Sequence, residues 1–481
     1  MHKVLLGVVC GLLVAGGVTA GVRSGNHVAA AQSDVPAAQH DRIGLYHWSS
    51  NTVAKPAGID RLTWGTDTAA RLGTRTVRIA LTAADSYQVN NAATTLTAIA
   101  QQPAYRTVFS DSRLSTYFLT VYSAGDLQGS WSDGFSAAEG QATHDETAAL
   151  ARYLLQTYQG KKFVFLNWEG DNALQAFPST NTTAWSGYTD WIKARVSGVA
   201  DARKAVTSTS QVYSGLEFNA VKRLDTGAAC NATDNKCVIS YVAPKVEADF
   251  YSYSAWQSQD PSTVGTDAVA ARLSADLSTA YNAVVGARPA ITHANFVVGE
   301  FGTARDVMGE CVAAVRIQKT IEAIEAWGAS YGIAWQTMDN DPASGELFLG
   351  YGAYKRDGSP SLGGQTLANL YATGTATAPS GVCAAINNGG VVNGQTFKPV
   401  IHRHDVISIF GANFSKTGNV VWIKQNGKFT AIRAGGSWWY ESPTQINAVL
   451  PDAVVAGNNV TVSVTGFDGR DSNSQVITVL S

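Results

Sequence analysis

The feature that most restricts what this chain can become is an alternation. Between Asp41 and Tyr371, short apolar β-rich runs take turns with longer stretches of helical period. Eight runs read as strands: Arg42–Trp48, Thr74–Leu81, Thr116–Tyr122, Lys162–Trp168, Gln211–Glu217, Ala248–Ser254, Asn295–Glu300 and Ser330–Trp335. The segments between them place apolar residues at helical spacing: Leu150, Leu154 and Leu155 within Ala137–Tyr158, and Ile317, Ile321, Ile324 and Trp327 within Cys311–Gly328. Trp185–Ala205, Asp267–Val285 and a closing Gly364–Tyr371 follow the same style. Strands separated by helices pair in parallel, and eight such units predict a closed (β/α)8 barrel of the α/β class. A doubly wound open sheet is the rival, but no Gly-rich phosphate loop follows the first strand.

The whole chain, 481 residues, is too long for one core. Small residues from Ala372 to Gly381 read as a linker, and beyond it the helical period disappears. Val406–Phe410, Val420–Ile423, Gln445–Val449, Val460–Val464 and Gln475–Leu480 are short strands, as in an all-β sandwich of about a hundred residues. The expected domains are therefore a barrel over 38–373, a linker over 374–384 and a sandwich over 385–481.

At the N-terminus, Met1-His2-Lys3 precedes an apolar run from Val4 to Gly17, with small residues at Ala20 and at Ala29–Ala31. That run is short for a membrane span, so 1–31 is expected to be a secretory signal peptide and the protein secreted or periplasmic. Four cysteines remain beyond it, an even count suited to disulfides. Three connectivities are possible. A local bridge between Cys230 and Cys237 would close a polar loop and leave Cys311 to pair with Cys383. No Cys or His cluster has metal-site spacing, and no cofactor or metal is expected. The formal net charge of -2 gives no field that would draw the chain to nucleic acid or to anionic lipid. Nothing in the sequence fixes an oligomeric state.

In such a barrel the reactive side chains sit at the carboxyl ends of the strands. The fourth strand ends Asn167-Trp168-Glu169-Gly170-Asp171, and the seventh ends Gly299-Glu300-Phe301-Gly302. Two carboxyl groups flanking one oxygen are what glycosidic cleavage needs: a protonated acid for the leaving group and an ionised partner at the anomeric carbon. Twelve Trp and eighteen Tyr are also compatible with stacking on sugar faces.

With these residues in view, the pattern resembles the clan A retaining glycoside hydrolases. The resemblance implies Glu169 as acid/base, Glu300 as nucleophile and a carbohydrate substrate. Val298-Gly299-Glu300-Phe301-Gly302 is similar to the clan's nucleophile strand. Arg78 resembles its strand-two arginine that supports the nucleophile and would keep Glu300 ionised. Tyr251 or Tyr253 matches its sixth-strand position, and Trp335 its eighth-strand tryptophan. One departure is Trp168, which stands between Asn167 and Glu169 where the clan has Asn directly before the acid. Asn167 and Glu169 would then face the same way in a strand, with Asn167 on the sugar, or a bulge would sit at Trp168. Asp171 is the alternative acid.

His47, Trp48 and Trp256 are candidate cleft walls, and Tyr46 and Tyr122 read equally as wall or packed rim. Glu217 reads first as a surface or structural carboxylate. Asp339, Asn340 and Asp341 read first as a turn before Pro342, and second as candidates to touch substrate hydroxyls. A Ser-nucleophile reading lacks its Gly-x-Ser-x-Gly elbow. The C-terminal segments around Asp405–Asn413 and Ser442–Pro451 resemble TIG-type immunoglobulin-like modules. There, alternation puts Trp438 and Tyr440 on one face and Trp439 on the other. The other readings of the same barrel are a non-catalytic carbohydrate-binding protein, and a transglycosylase or lyase.

Overall fold

All eight expected runs form strands. β1 (Ile43–His47), β2 (Thr76–Thr82), β3 (Thr116–Tyr122), β4 (Lys162–Leu166), β5 (Gln211–Phe218), β6 (Phe250–Ser254), β7 (Phe296–Phe301) and β8 (Tyr331–Trp335) close into one barrel in that order. Every neighbouring pair is parallel, including β1 with β8. The computed structural model describes residues 42–48, 55–89, 92–127, 129–260, 263–340, 350–379, 383–433, 438–466 and 472–481. The expected signal peptide and Asp341 lie outside them.

Helices cover the barrel: α1 (Arg61–Leu72), α2 (Pro103–Ser110), α3 (Ala137–Thr157), α4 (Thr182–Ala205), α5 (Val269–Val285), α6 (Glu310–Trp327) and α7 (Leu362–Thr373). Their ends are set by local chemistry. Asp60 accepts from the Thr63 N–H at the start of α1, and Ser136 with Glu139 forms a capping box at the start of α3. The β5–β6 connection differs: it carries the Cys230–Cys237 loop and a π-helical turn at Val238–Val242 in place of a long helix.

Strand parity sorts the side chains into two cores. Phe118, Val164, Leu166, Val297 and Ile333 pack with one another inside the barrel. Val77, Leu119, Phe163, Leu216 and Val298 pack outward in the larger core. Above the apolar interior lies a buried polar layer built from Arg78, Thr120, Glu217 and Ser252.

The C-terminal region is all β. One sheet of five strands runs β10 (Ile401–His402), β17 (Gln475–Leu480), β16 (Gly457–Thr465), β12 (Val420–Gln425), β13 (Lys428–Arg433). The other has four, in the order β14 (Tyr440–Glu441), β15 (Gln445–Val449), β11 (Val406–Ala412), β9 (Ala385–Asn393). Ile407, Ile409, Val421, Ile446 and Val462 from both sheets share one core. Four strands that sequence reading left out are β9, β10, β13 and β14, which are short, half-exposed or glycine-bearing. Both disulfides form, Cys230 with Cys237 and Cys311 with Cys383, as expected of folding in an oxidising compartment. Among the described residues no helix is long and apolar enough to cross a membrane.

Candidate active site

Glu169 and Glu300 meet at the carboxyl end of the barrel. Both are nearly closed off from solvent, 5% and 2% exposed. One hydroxyl joins them: Ser254 Oγ lies 2.6 Å from Glu169 Oε1 and 3.2 Å from Glu300 Oε2. These two lengths cap the separation of the carboxylate oxygens at below about 6 Å, short of the ~6.5–9.5 Å that a water-activating inverting pair needs.

The two glutamates reach this position by different backbone devices. β4 ends at Leu166, and Glu169 follows in a left-handed conformation (φ 34°, ψ 69°) at the start of a short helix, Gly170–Leu174. A non-glycine residue there is uncommon, and here it turns the carboxylate in toward β6 and β7. The Glu169 N–H donates to Glu217 Oε1 at 3.1 Å, and Asn172 Nδ2 donates to Glu169 Oε2. In β7, strict alternation would send Glu300 out with Phe296 and Val298. Register shifts against both neighbours, after Val298, let Glu300 turn inward while Phe301 still packs outward. Gly299 is needed at this point, because a Cβ there would stand 2.0 Å from Ser252 Oγ and 2.5 Å from Glu217 Oε2.

Arg78 lies fully buried beneath the pair. Its fork goes to Glu217: Nη1 donates to Oε2 at 2.6 Å and Nη2 to Oε1 at 2.8 Å. Nη1 also donates to the Gly299 carbonyl at 3.0 Å and stands 3.4 Å from Glu300 Oε1. Thr120 Oγ1 accepts from Nε and Nη2, and the guanidinium sits over the Tyr46 ring at 4.5 Å. Glu300 Oε2 accepts from Trp256 Nε1 at 3.0 Å, whereas Oε1 has no hydrogen-bond donor among the described residues.

Burial raises the pKa of both carboxyls. For Glu300, the Arg78 charge opposes burial while Glu217 adds to it, and the result is a pKa pushed up to about 7. Glu169 is pushed well above the usual carboxylate range by burial and then by the facing Glu300. Arg78 reaches Glu300, but most of its fork is spent on Glu217.

Aromatic rings rim the pair. Trp335 meets Tyr46 edge to face at 4.8 Å, Trp48 lies 6.2 Å from Trp335, and Trp256 stands edge-on to both Trp335 and Tyr351. Trp168 is 41% exposed, directly before Glu169, with its N–H held by the Tyr122 hydroxyl at 2.9 Å.

Four sequence-predicted site residues are elsewhere. His47 points outward: its ring stacks on Tyr87, Nε2 meets the Arg61 carbonyl, and Gly65 of α1 leaves room for it. Tyr251 and Tyr253 also face outward. The hydroxyl of Tyr251 donates to the Val246 carbonyl, and that of Tyr253 meets Ser258 and Asp276. β6 alternates, so its inward places belong to Ser252 and Ser254. Asn167 does not face the cleft with Glu169. Its amide is consumed by the Glu217 N–H, the Glu217 carbonyl and the Tyr188 hydroxyl, clamping β4 to β5.

Among the undecided residues, Asp171 is saturated by three backbone N–H groups, from Asn219, Ala220 and Val238, and is a loop anchor. Asp339 is taken by Arg305 and the Gly352 N–H, and Asn340 by Gln336. Glu217, read first as surface or structural, is completely buried in the polar layer. Sequence reasoning missed Ser252, Ser254 and Asn172. The Phe-Tyr-Ser-Tyr-Ser parity of β6 carries the signal only once one inward residue is known.

No protein-family model matches the chain, and no curated protein matches it. Among solved structures, it is similar to a GH5_18 protein from Bifidobacterium longum subsp. longum crystallised with Manb1-4GlcNAc (16% identity, 69% of this chain and 78% of that one, TM-score 0.48). It is similar to a GH5_18 protein from Streptomyces cattleya crystallised with the same compound (16% identity, 70% and 82%, TM-score 0.45). A broad specificity GH5-4 endoglucanase from Clostridium acetobutylicum is another (13% identity, 69% and 98%, TM-score 0.44). At that distance no role passes from those proteins to this chain, whose chemistry has to be read from its own side chains.

Proposed function

We propose that this chain is a secreted retaining glycoside hydrolase that cleaves O-glycosidic bonds of an oligosaccharide or polysaccharide, with Glu300 as nucleophile and Glu169 as acid/base. The observation that carries this reading is the pair of buried carboxylates sharing the Ser254 hydroxyl. Their oxygens are too close for a water to fit between acid and base, and close enough for direct attack on the anomeric carbon.

The electrostatics support the same division of roles. Glu300 has a cation 3.4 Å away and Glu169 does not, so Glu300 loses its proton first and Glu169 keeps it as general acid. Oε2 of Glu300 is held by Trp256 and Ser254, while Oε1 is buried against Arg78 without a hydrogen bond among the described residues. While Glu169 is protonated, its O–H donates to Ser254 Oγ and the serine proton turns to Glu300. When the leaving group takes the Glu169 proton, the serine hydroxyl turns back to the new carboxylate. In the second step Glu169 takes a proton from a water whose oxygen bonds to the anomeric carbon, and the bond from that carbon to Glu300 breaks, which frees the sugar and restores the carboxylate. Trp335, Trp48 and Trp256 supply apolar faces for the sugar ring. The two disulfides support a secreted location.

The test is a pair of isosteric variants assayed on a panel of polysaccharides and aryl glycosides. Glu300→Gln should abolish turnover of every substrate while the protein stays folded. Glu169→Gln should lower it by about 10²–10⁴ on sugars with poor leaving groups and far less on activated aryl glycosides. Full activity in either folded variant on an unactivated substrate overturns the assignment.

A further inference from the structure

Glu217 is the one carboxylate of the site for which the proposed reaction has no use, and it is more deeply buried than the two that it uses. Its surroundings are built around a charge. Both guanidinium arms of Arg78 donate to it, Ser252 Oγ donates to Oε2 at 2.9 Å, and the Glu169 N–H donates to Oε1 at 3.1 Å. Its backbone N–H and carbonyl are both clamped by the Asn167 amide. Gly299 leaves the space that its carboxylate and Ser252 occupy.

We infer that Glu217 is a positioning residue that sets the charge of Glu300 by competing with it for Arg78, and that fixes the left-handed turn at Glu169 by accepting its N–H. The inference rests on the glycosidase reading for its functional meaning, although its physical content does not. Arg78 faces two carboxylates across the barrel and gives its fork to the one that is not meant to react. Glu300 is left with a single side-on contact from Arg78, at 3.4 Å. The other groups facing Glu300 are Glu169, the Tyr46 phenol, the Ser254 hydroxyl and the Trp256 N–H.

Two variants test this with opposite expected signs. E217Q removes the competing negative charge but keeps an acceptor for the Glu169 N–H, so Arg78 turns wholly to Glu300. Carbon-13 NMR of labelled glutamate carboxyls, with Glu300 assigned from E300Q, should then show Glu300 titrating about one pH unit or more below wild type. The acidic limb of kcat/KM should move down with it. R78Q/E217Q neutralises both partners, strands no buried charge and takes the cation away from Glu300, so Glu300 should titrate above wild type. The double variant also answers if E217Q fails to fold. An unmoved or raised Glu300 titration in folded E217Q, or a lowered one in the double variant, overturns the inference. The NMR readout is independent of turnover: loss of the glycosidase reading would appear as unchanged activity in E300Q, not as an unmoved titration.

Discussion

Burial pushes both facing glutamates toward the neutral form, and a single cation separates them. Arg78 lies against Glu300 and restrains its rise to about 7, while Glu169, facing that charge, is pushed further up. The proposed mechanism needs Glu300 ionised and Glu169 protonated. The acidic limb of kcat/KM therefore follows Glu300 and the alkaline limb follows Glu169. A pH profile should rise through about pH 7 and peak above it, so that kcat/KM at pH 5 is roughly one hundredth of the plateau. An optimum near pH 5 would contradict this electrostatic picture. The neighbouring His47 plays no part in the profile, because it faces away from the barrel and burial holds it down at about 4.

At the level of the strands, β7 and the turn after β4 depart from regular geometry, and these departures bring the two glutamates together. Gly299 carries much of this. Gly299→Ala would drive a methyl into Ser252 and Glu217, an overpacking of about 1–3 kcal/mol that distorts the bulge aiming Glu300. Thermal melting should show a modest loss of stability, and kcat should fall far more than that loss implies. A variant with wild-type kcat would mean that the bulge does not aim the nucleophile. The strands themselves were legible because the alternation of β-rich and helical segments runs through the whole barrel. Which face each residue takes was less so, because period two fixes parity only relative to an anchor, and one wrong parity moves a whole strand's set. The resemblance implies Tyr251 or Tyr253 at the sixth-strand site position, but Phe250 and the two serines hold the inward face. Glu300 stands near the end of β7, but the bulge that brings it inward has no mark in the sequence beyond Gly299. Glu217 ends β5 as Glu169 follows β4, and only the three-dimensional position of Arg78 distinguishes their environments.

Over the whole molecule, two covalent ties differ in reach. Cys311–Cys383 joins α6 to the segment just before the β-rich region and closes a loop with a sequence separation of 72. Cys230–Cys237 spans a separation of only 7. Loop-closure entropy predicts about 4 kcal/mol from the first and about 2 kcal/mol from the second. Denaturant titration of C311A/C383A and C230A/C237A should rank them in that order, and the reverse order would show that strain or residual structure outweighs loop length. In the C-terminal region Trp439 packs against the shared core while Trp438 and Tyr440 are exposed, although only Tyr440 lies in a strand. In the proposed mechanism the short carboxylate separation leaves room for attack by Glu300 and none for a water between acid and base. Proton NMR of the sugar released at the first moments of cleavage decides whether this holds: the first-formed product should keep the anomeric configuration of the broken bond, and a product of the opposite configuration would contradict a double displacement.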